Sequence, residues 1–82
     1  MPAKKKTAAD RRAEQFRRMY RIGKAAENLN EAQVAKLLGI TDRTLRRRRK
    51  DPDSFTMGEV LVLAFLFHWS AEDIGAWLAV PQ

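Results

Sequence analysis

Residues 41–50 read Thr-Asp-Arg-Thr-Leu-Arg-Arg-Arg-Arg-Lys, and six of these ten residues are arginine or lysine. Cations at this density favour an anionic partner. The stretch also has the boundaries of a helix, because Thr41 can cap the first turn with its hydroxyl and Pro52 disfavours helix at its end. The pattern therefore predicts a short helix with a dense positive surface, while a solvated charged segment is the simpler alternative.

The helical period predicts where these charges point. At about 100° per residue, Leu45 is the one clearly apolar side chain and faces inward. Four cations fall on the opposite side: Arg43, Arg46, Arg47 and Lys50. Arg48 and Arg49 flank Leu45, so we expect their aliphatic stems to cover the edge of the core while their charged heads reach water.

Other chemistry has little support in the sequence. The chain has no cysteine and one histidine, His68, which disfavours a metal site. It has no Gly-rich phosphate loop, and no nucleophile accompanies the histidine as a general base. We therefore expect no enzyme activity, no cofactor and no small-molecule substrate. His68 is predicted to pack at the surface or at the core boundary.

Length and charge narrow the class of protein. The 82 residues predict a basic arm at residues 1–6 and a single domain at residues 7–82. The net charge of +6 favours nucleic acid first, and an anionic membrane surface or an acidic protein second. Membrane binding is not expected, because the cationic helix has only Leu45 on its apolar side. The apolar stretch 60–67 is too short to span a bilayer and residues 1–6 lack a signal segment, so we expect a cytoplasmic protein.

A local pattern marks the helix starts. An apolar residue, a capping residue, two free positions, a polar residue and an apolar residue recur from Leu29, Ile40, Phe55 and Trp69. This combination of hydrophobic staple and capping box is weaker for the third and fifth helices, at Thr44 and Asp73. It predicts helices that begin near residues 31, 42, 57 and 71. With a first helix over residues 7–27, the chain is predicted to be all-α with five helices.

The element before the cationic helix is predicted to hold it in place. The helix at residues 31–38 buries Val34, Ala35 and Leu38, and Gly39 ends it in a left-handed conformation. A short helix, a glycine turn and a second short helix form a helix-turn-helix. The small side chain of Ala35 permits a close crossing of the two helices.

The first helix has one apolar face. Its members are predicted to be Phe16, Met19, Tyr20, Gly23 and Ala26. Gly23 is either a point of close packing or an early helix end, and the sequence does not decide between them.

The helix at residues 57–68 is apolar on all sides. One face is predicted to contain Met57, Val60, Leu61, Ala64 and Phe67, and the following helix adds Ile74, Trp77 and Leu78. Surplus apolar surface favours an interaction site. We predict a homodimer contact formed by Val62, Phe65, Leu66, Trp69, Trp77 and Leu78. The alternative is ordinary core packing with a few exposed apolar residues.

Residues 30–41, Asn-Glu-Ala-Gln-Val-Ala-Lys-Leu-Leu-Gly-Ile-Thr, followed by Leu45, resemble the helix-turn-helix of the lambda repressor and Cro family. The matching positions are Val34, Ala35, Leu38, Gly39, Ile40 and Leu45. Residues 55–57, the apolar helix after them and residues 70–74 resemble the family's fourth and fifth helices. Lys4, Lys5 and Lys6, ahead of an arginine-rich helix, resemble the basic arm of the lambda repressor.

The resemblance implies a compact five-helix domain that binds a pseudo-palindromic operator as a dimer, with the third helix in the major groove. By position it places Thr41, Asp42, Arg43, Arg46 and Arg47 at the groove. Two departures stand out: Glu31 replaces a frequent glutamine that contacts phosphate, and Arg48 and Arg49 occupy a turn that is often apolar. The length fits a small Cro-like regulator of a phage or prophage.

The predicted function is sequence-specific binding of double-stranded DNA by a transcriptional regulator or repressor. Arg43, Arg46 and Arg47 are predicted to contact base edges, because arginine is the commonest reader of guanine. Phosphate contacts are predicted for Lys4, Lys5, Lys6, Arg48, Arg49 and Lys50, and Thr44 belongs to the same surface. The lysine arm is equally compatible with a disordered, solubilising terminus.

Two alternatives stay open for the function. The same arginines are compatible with a phage factor that binds an acidic host protein, or with a non-specific nucleoid or RNA binder. Trp69 and Trp77 are predicted to be core or interface anchors, since each belongs to the apolar pattern of its helix.

Overall fold

The computed structural model describes residues 7–79. It contains α1 (Ala8–Ala26), α2 (Glu31–Leu38), α3 (Asp42–Lys50), a short 3-10 helix η1 (Pro52–Ser54), α4 (Met57–Phe67) and α5 (Ala71–Leu78). No strand occurs in this range, so the all-α prediction with five α-helices is confirmed for it. The predicted helix starts at residues 31, 42, 57 and 71 are also confirmed.

Local capping explains why the helices begin where they do. Complete capping boxes start four of them, at Thr7, Asn30, Thr56 and Ser70. Each box satisfies two backbone amides that the first turn would otherwise leave without a partner. The box at Ser70 and Asp73, predicted to be weak, is complete. At the start of α3 only half of the motif forms, since the Thr44 amide donates to the Thr41 hydroxyl at 3.1 Å.

The core is built around Phe16 of α1. Its ring lies 5.0 Å from that of Phe55, 5.3 Å from that of Trp77 and 5.7 Å from that of Tyr20, measured between centroids. α1 packs against α3, α4, α5 and η1, so it is the central element of the described chain. Leu45 of α3 and Leu63 of α4 are fully buried beside it.

Gly23 is the point of closest approach between α1 and α4. A Cβ atom at this position would lie 2.5 Å from Cγ of Phe67 and 2.7 Å from its Cβ. α1 continues past Gly23 to Ala26, so Gly23 is a point of close packing and not an early helix end. The predicted burial of Ala26 is wrong, because it is exposed at the helix end, and Ala13 extends the buried face one turn earlier instead.

The predicted buried face of α4 is partly wrong. Met57 and Leu61 were expected inside, yet 67% and 59% of their surfaces are exposed, while Leu63 is fully buried. The reason is that α4 has apolar residues on every side, so periodicity offers no contrast between faces. None of the helices described has both the length and the apolar character needed to cross a membrane.

Candidate nucleic-acid interface

α3 is fixed to α2 by a tight turn and one buried anchor. Gly39 adopts φ 73°, in the left-handed region that an absent Cβ makes accessible. The amide of Ile40 donates to the carbonyl of Ala35 at 3.0 Å, which closes the end of α2. Leu45 and Ala35 are buried, so the inner side of α3 sits close to α2. These contacts set the direction in which α3 presents its outer side.

The outer side of α3 carries four exposed cations. Arg43, Arg46, Arg47 and Lys50 line one shallow depression. Within residues 7–79 none of these four side chains donates a hydrogen bond or forms an ion pair. We call this set the α3 outer face. Four like charges without internal partners create a positive potential that attracts an anion.

Arg48 does not belong to the α3 outer face. Its Nη1 donates to Glu59 Oε1 at 2.5 Å and to the Ser54 carbonyl at 2.9 Å. The prediction that its charged head reaches water is wrong, because the head is turned toward α4 and η1, while its predicted phosphate contact stays a prediction. Glu59 is held in position to receive it, since the same carboxylate oxygen accepts the amide of Thr56 in the α4 cap.

Arg49 is turned inward as well. Its Nη1 donates to Glu31 Oε1, and its guanidinium lies 5.2 Å from the centroid of the Tyr20 ring. The prediction that its charged head reaches water is wrong for the same reason as for Arg48, while its predicted phosphate contact stays a prediction. A charge-assisted bond to a fixed carboxylate is favoured over a solvated head group at this partly buried position.

Glu31 joins three helices through one carboxylate oxygen. Besides Arg49 of α3, Oε1 accepts hydrogen bonds from the Tyr20 hydroxyl at 3.2 Å and from Lys24 Nζ at 3.0 Å. Burial raises the pKa of the Tyr20 phenol well above its usual range, and the negative charge of Glu31 adds to the rise. The phenol therefore remains a donor. This network was not predictable from the sequence, because its members are not neighbours in any local pattern.

A second basic surface lies beside this network. We call it the α1–α3 groove, and its lining consists of Phe16, Arg17, Tyr20, Arg21, Lys24 and Arg49. Arg17 Nη2 donates to the Lys50 carbonyl at 3.4 Å, so the groove adjoins the end of α3. The sequence pattern indicates no binding role for these positions of α1.

The remaining predicted contact residues lie near the start of α3 or in the arm. Thr41 and Asp42 are exposed there, while Thr44 is half-buried and its hydroxyl accepts a bond from that of Thr41 at 3.0 Å. Lys4, Lys5 and Lys6 lie outside the described residues, so their predicted contact with phosphate stays a prediction.

An ion pair that sequence analysis missed fastens α1 to η1. Arg12 Nε donates to Asp53 Oδ1 at 3.0 Å, and Nη2 donates to Oδ2 at 2.7 Å. The bidentate hydrogen bond from Arg12 lowers the pKa of the Asp53 carboxyl. The two residues are 41 positions apart, so no helical spacing indicated the contact.

The predicted dimer residues do not share one exposed surface. Phe65 and Leu78 are exposed, at 82% and 55%, and Val62, Leu66 and Trp69 are partly buried. Trp77 is corrected: it is only 2% exposed and packs against Phe16, so it belongs to the core of the protomer. The exposed ridge of α4 is instead Met57, Leu61 and Phe65, spaced four residues apart, which we call the α4 stripe.

His68 lies at the surface, as predicted. It ends α4 with φ 57°, and its Nε2 lies 2.7 Å from Glu27 Oε1.

Comparison of the chain with protein-family models, with curated proteins and with solved structures gives no match. Function is therefore inferred from the geometry of the residues described above.

Proposed function

We propose that this chain is a sequence-specific transcriptional regulator that binds double-stranded DNA through α3. The observation that supports the proposal most directly is that the arginines of α3 fall into two groups, one unpaired at the surface of the described chain and one paired with glutamates. Those of the α3 outer face have no hydrogen-bond or ion-pair partner among residues 7–79, whereas Arg48 and Arg49 are each paired with a glutamate of another helix. A helix of this kind fits the major groove, where arginine reads guanine through paired hydrogen bonds.

The local geometry of α2, the turn and α3 supports a helix-turn-helix interpretation. Gly39 provides the left-handed residue between the helices, and Leu45 anchors α3 from within. In this mode α3 is the recognition helix, and its first turn, with Thr41 and Asp42, lies at the base edges. Arg43, Arg46 and Arg47 are proposed to read bases, and Lys50 to contact a phosphate.

Homodimerisation through the α4 stripe completes the proposal. All sixteen lysine and arginine residues occur at or before Lys50, so α4 and α5 contain none. In a dimer formed through α4, the contact would therefore have no repulsion between lysine or arginine residues of α4 and α5. A two-fold dimer presents two recognition helices, which suits a pseudo-palindromic operator.

The experiment is selection of bound sequences from a random duplex pool, followed by affinity measurements on the selected and a random duplex. Arg43→Ala and Arg46→Ala should each cost about 1–3 kcal/mol on the selected duplex and relax its sequence preference. Arg18→Ala is the matched control, since it removes the same charge from an exposed position on α1 whose side chain, within residues 7–79, hydrogen-bonds only to Gln15.

Equal losses on both duplexes for the α3 variants would refute base reading. Absence of wild-type binding to any duplex at low salt would refute DNA binding and favour an acidic protein partner. A specific binder should prefer its selected site by roughly 10³-fold or more.

A further inference from the structure

The α1–α3 groove is lined by several cationic side chains, and within residues 7–79 not all of them are paired with other groups of the protein. Arg17, Arg21, Lys24 and Arg49 line it, and Phe16 and Tyr20 provide its aromatic wall. Arg21 is exposed and donates no hydrogen bond within residues 7–79. Without a compensating acid, the groove would add a cluster of positive charge next to the end of α3.

Glu31 supplies that compensating charge. Its Oε1 collects the donors of Tyr20, Lys24 and Arg49, which are all residues of the groove lining. Lys24 Nζ also lies 5.4 Å from the centroid of the Tyr20 ring, and Arg49 approaches the same ring. Lys24 and Arg49 are thus held against the protein surface, and their N–H groups point toward the Glu31 carboxylate.

A carboxylate and a phosphodiester compete for the same donors. Both offer anionic oxygens to guanidinium and ammonium groups, with similar bond lengths. Because sequence-independent affinity for DNA grows with each phosphate that a cation neutralises, an internal acid that occupies two cations lowers it. Base reading by the α3 outer face is unaffected by such an acid, since none of its four side chains contacts Glu31.

We propose that Glu31 is an internal competitor for backbone phosphate, which keeps Lys24 and Arg49 from DNA and so lowers the sequence-independent affinity for DNA. Glu31 acts through these two cations and is a positioning residue rather than a contact. The inference rests on the proposed function, because the competing ligand is the phosphodiester of the duplex that α3 binds.

The test is Glu31→Gln, which keeps the shape and one acceptor oxygen but removes the charge. The slope of the logarithm of the binding constant against the logarithm of salt concentration should steepen by about 1–2 on random duplex, since up to two cations are released. Affinity for random duplex near 0.1 M salt should rise about tenfold. Glu72→Gln, an exposed acid at the start of α5, is the control for net charge.

A double variant tests the mechanism. Glu31→Gln combined with Arg49→Gln should return the salt slope toward that of the wild type, because one released cation is removed again. If Glu31→Gln and Glu72→Gln change the slope equally, or if the double variant keeps the steeper slope, the proposal is wrong.

A separate variant applies if Glu31→Gln fails to fold. Lys24→Gln in the wild-type background should leave the salt slope unchanged, since Glu31 already holds Lys24. A decrease of about 1 would show that Lys24 contacts phosphate directly and would overturn the proposal.

A second readout separates this inference from the proposed function. Thermal unfolding is measured in inorganic phosphate and in chloride at equal ionic strength. Phosphate should stabilise the Glu31→Gln variant more than the wild type, because the released cations bind the free anion. Equal stabilisation of both proteins would overturn the inference even if DNA binding holds. If the wild type binds no duplex, the proposed function is wrong, but the comparison of phosphate with chloride still tests whether Glu31 keeps Lys24 and Arg49 from a phosphate anion.

Discussion

Gly23 has no side chain because Phe67 occupies the space that one would need. Gly23→Ala would place a methyl carbon 2.5 Å from Cγ of Phe67, which is itself buried and cannot move into solvent. We expect a loss of about 1–3 kcal/mol in the free energy of unfolding, the usual result of overpacking a core. Urea unfolding monitored by circular dichroism measures the difference.

Gly75 is the matched control for this substitution. It lies inside α5, and a Cβ atom there would meet nothing within 4 Å. Gly75→Ala should raise stability by about 0.5–1 kcal/mol, because alanine loses less conformational entropy in a helix. A similar response at both glycines would contradict the packing explanation for Gly23.

For α3, the sequence predicted which side chains face inward or outward, because the helical period determines this, but it did not predict their contact partners. A 100° step separates Leu45 from the outer arginines, and the structure has them on opposite sides. The inward pairing of Arg48 and Arg49 was not predictable, since their partners Glu59 and Glu31 belong to other helices. The helical period predicts the direction in which a side chain projects from its helix, but its contact partners depend on tertiary packing.

At the scale of elements, α3 is held by more than its single leucine. Leu45 is the one fully buried residue of α3. The structure adds an ion pair on either side of it, from Arg48 to α4 and from Arg49 to α2. These partly buried pairs orient the helix, although desolvation offsets much of their attraction.

The contact between α1 and η1 gives a pH-dependent contribution to stability. The hydrogen bond from Arg12 lowers the pKa of Asp53 below its ordinary value of 3.8. A group with a lowered folded-state pKa stabilises the protein fully above the unfolded pKa, and this stabilisation is lost as the pH falls through the folded pKa. Asp53→Asn should therefore lower the melting temperature slightly near neutral pH and have no effect at strongly acidic pH.

Asp51→Asn is the control for the Asp53 variant. Asp51 is exposed, and no hydrogen bond or ion pair of its side chain occurs among the described residues. Its substitution should leave the melting temperature nearly constant across the same pH series. A destabilisation by Asp53→Asn that persists at acidic pH would contradict the assignment to the Arg12 pair.

The sequence predicted the helix starts well and the orientation of α4 poorly, for related reasons. Capping is local, so the four residues from Asn30 to Gln33 or from Thr56 to Glu59 contain all that the start of a helix requires. The orientation of α4 depends on contrast between apolar and polar sides. That helix has almost none, so only its packing against α1 and α2 decides that Leu63 is buried and Leu61 exposed.

At the scale of the molecule, charge and apolar surface are separated. Every lysine and arginine precedes residue 51, while α4 and α5 carry only Glu59, Glu72 and Asp73 as fixed charges. One part of the chain is thus suited to an anionic partner, and the positive potential of its face speeds encounter with one. The other part presents the α4 stripe, whose three apolar side chains are each more than half exposed.

A single charge on the α4 stripe should separate the two copies of the proposed dimer. Phe65 is 82% exposed, so Phe65→Glu places a carboxylate in the interface without disturbing the core. We expect a loss of at least about 2 kcal/mol of dimerisation free energy, as for a central aromatic residue of an interface. Sedimentation equilibrium measures it, and cooperative binding to a two-half-site duplex should be lost while binding to one half-site remains.

Ile22→Glu is the control, because Ile22 is 62% exposed on α1, outside the stripe, and the substitution changes polarity in the same way. It should leave the dimer intact. A wild-type protein that sediments as a monomer at all concentrations, or a Phe65→Glu variant that dimerises as strongly as the wild type, would show that the stripe is not the contact. The paired half-sites of the proposed operator would then require a different surface to join two copies of α3.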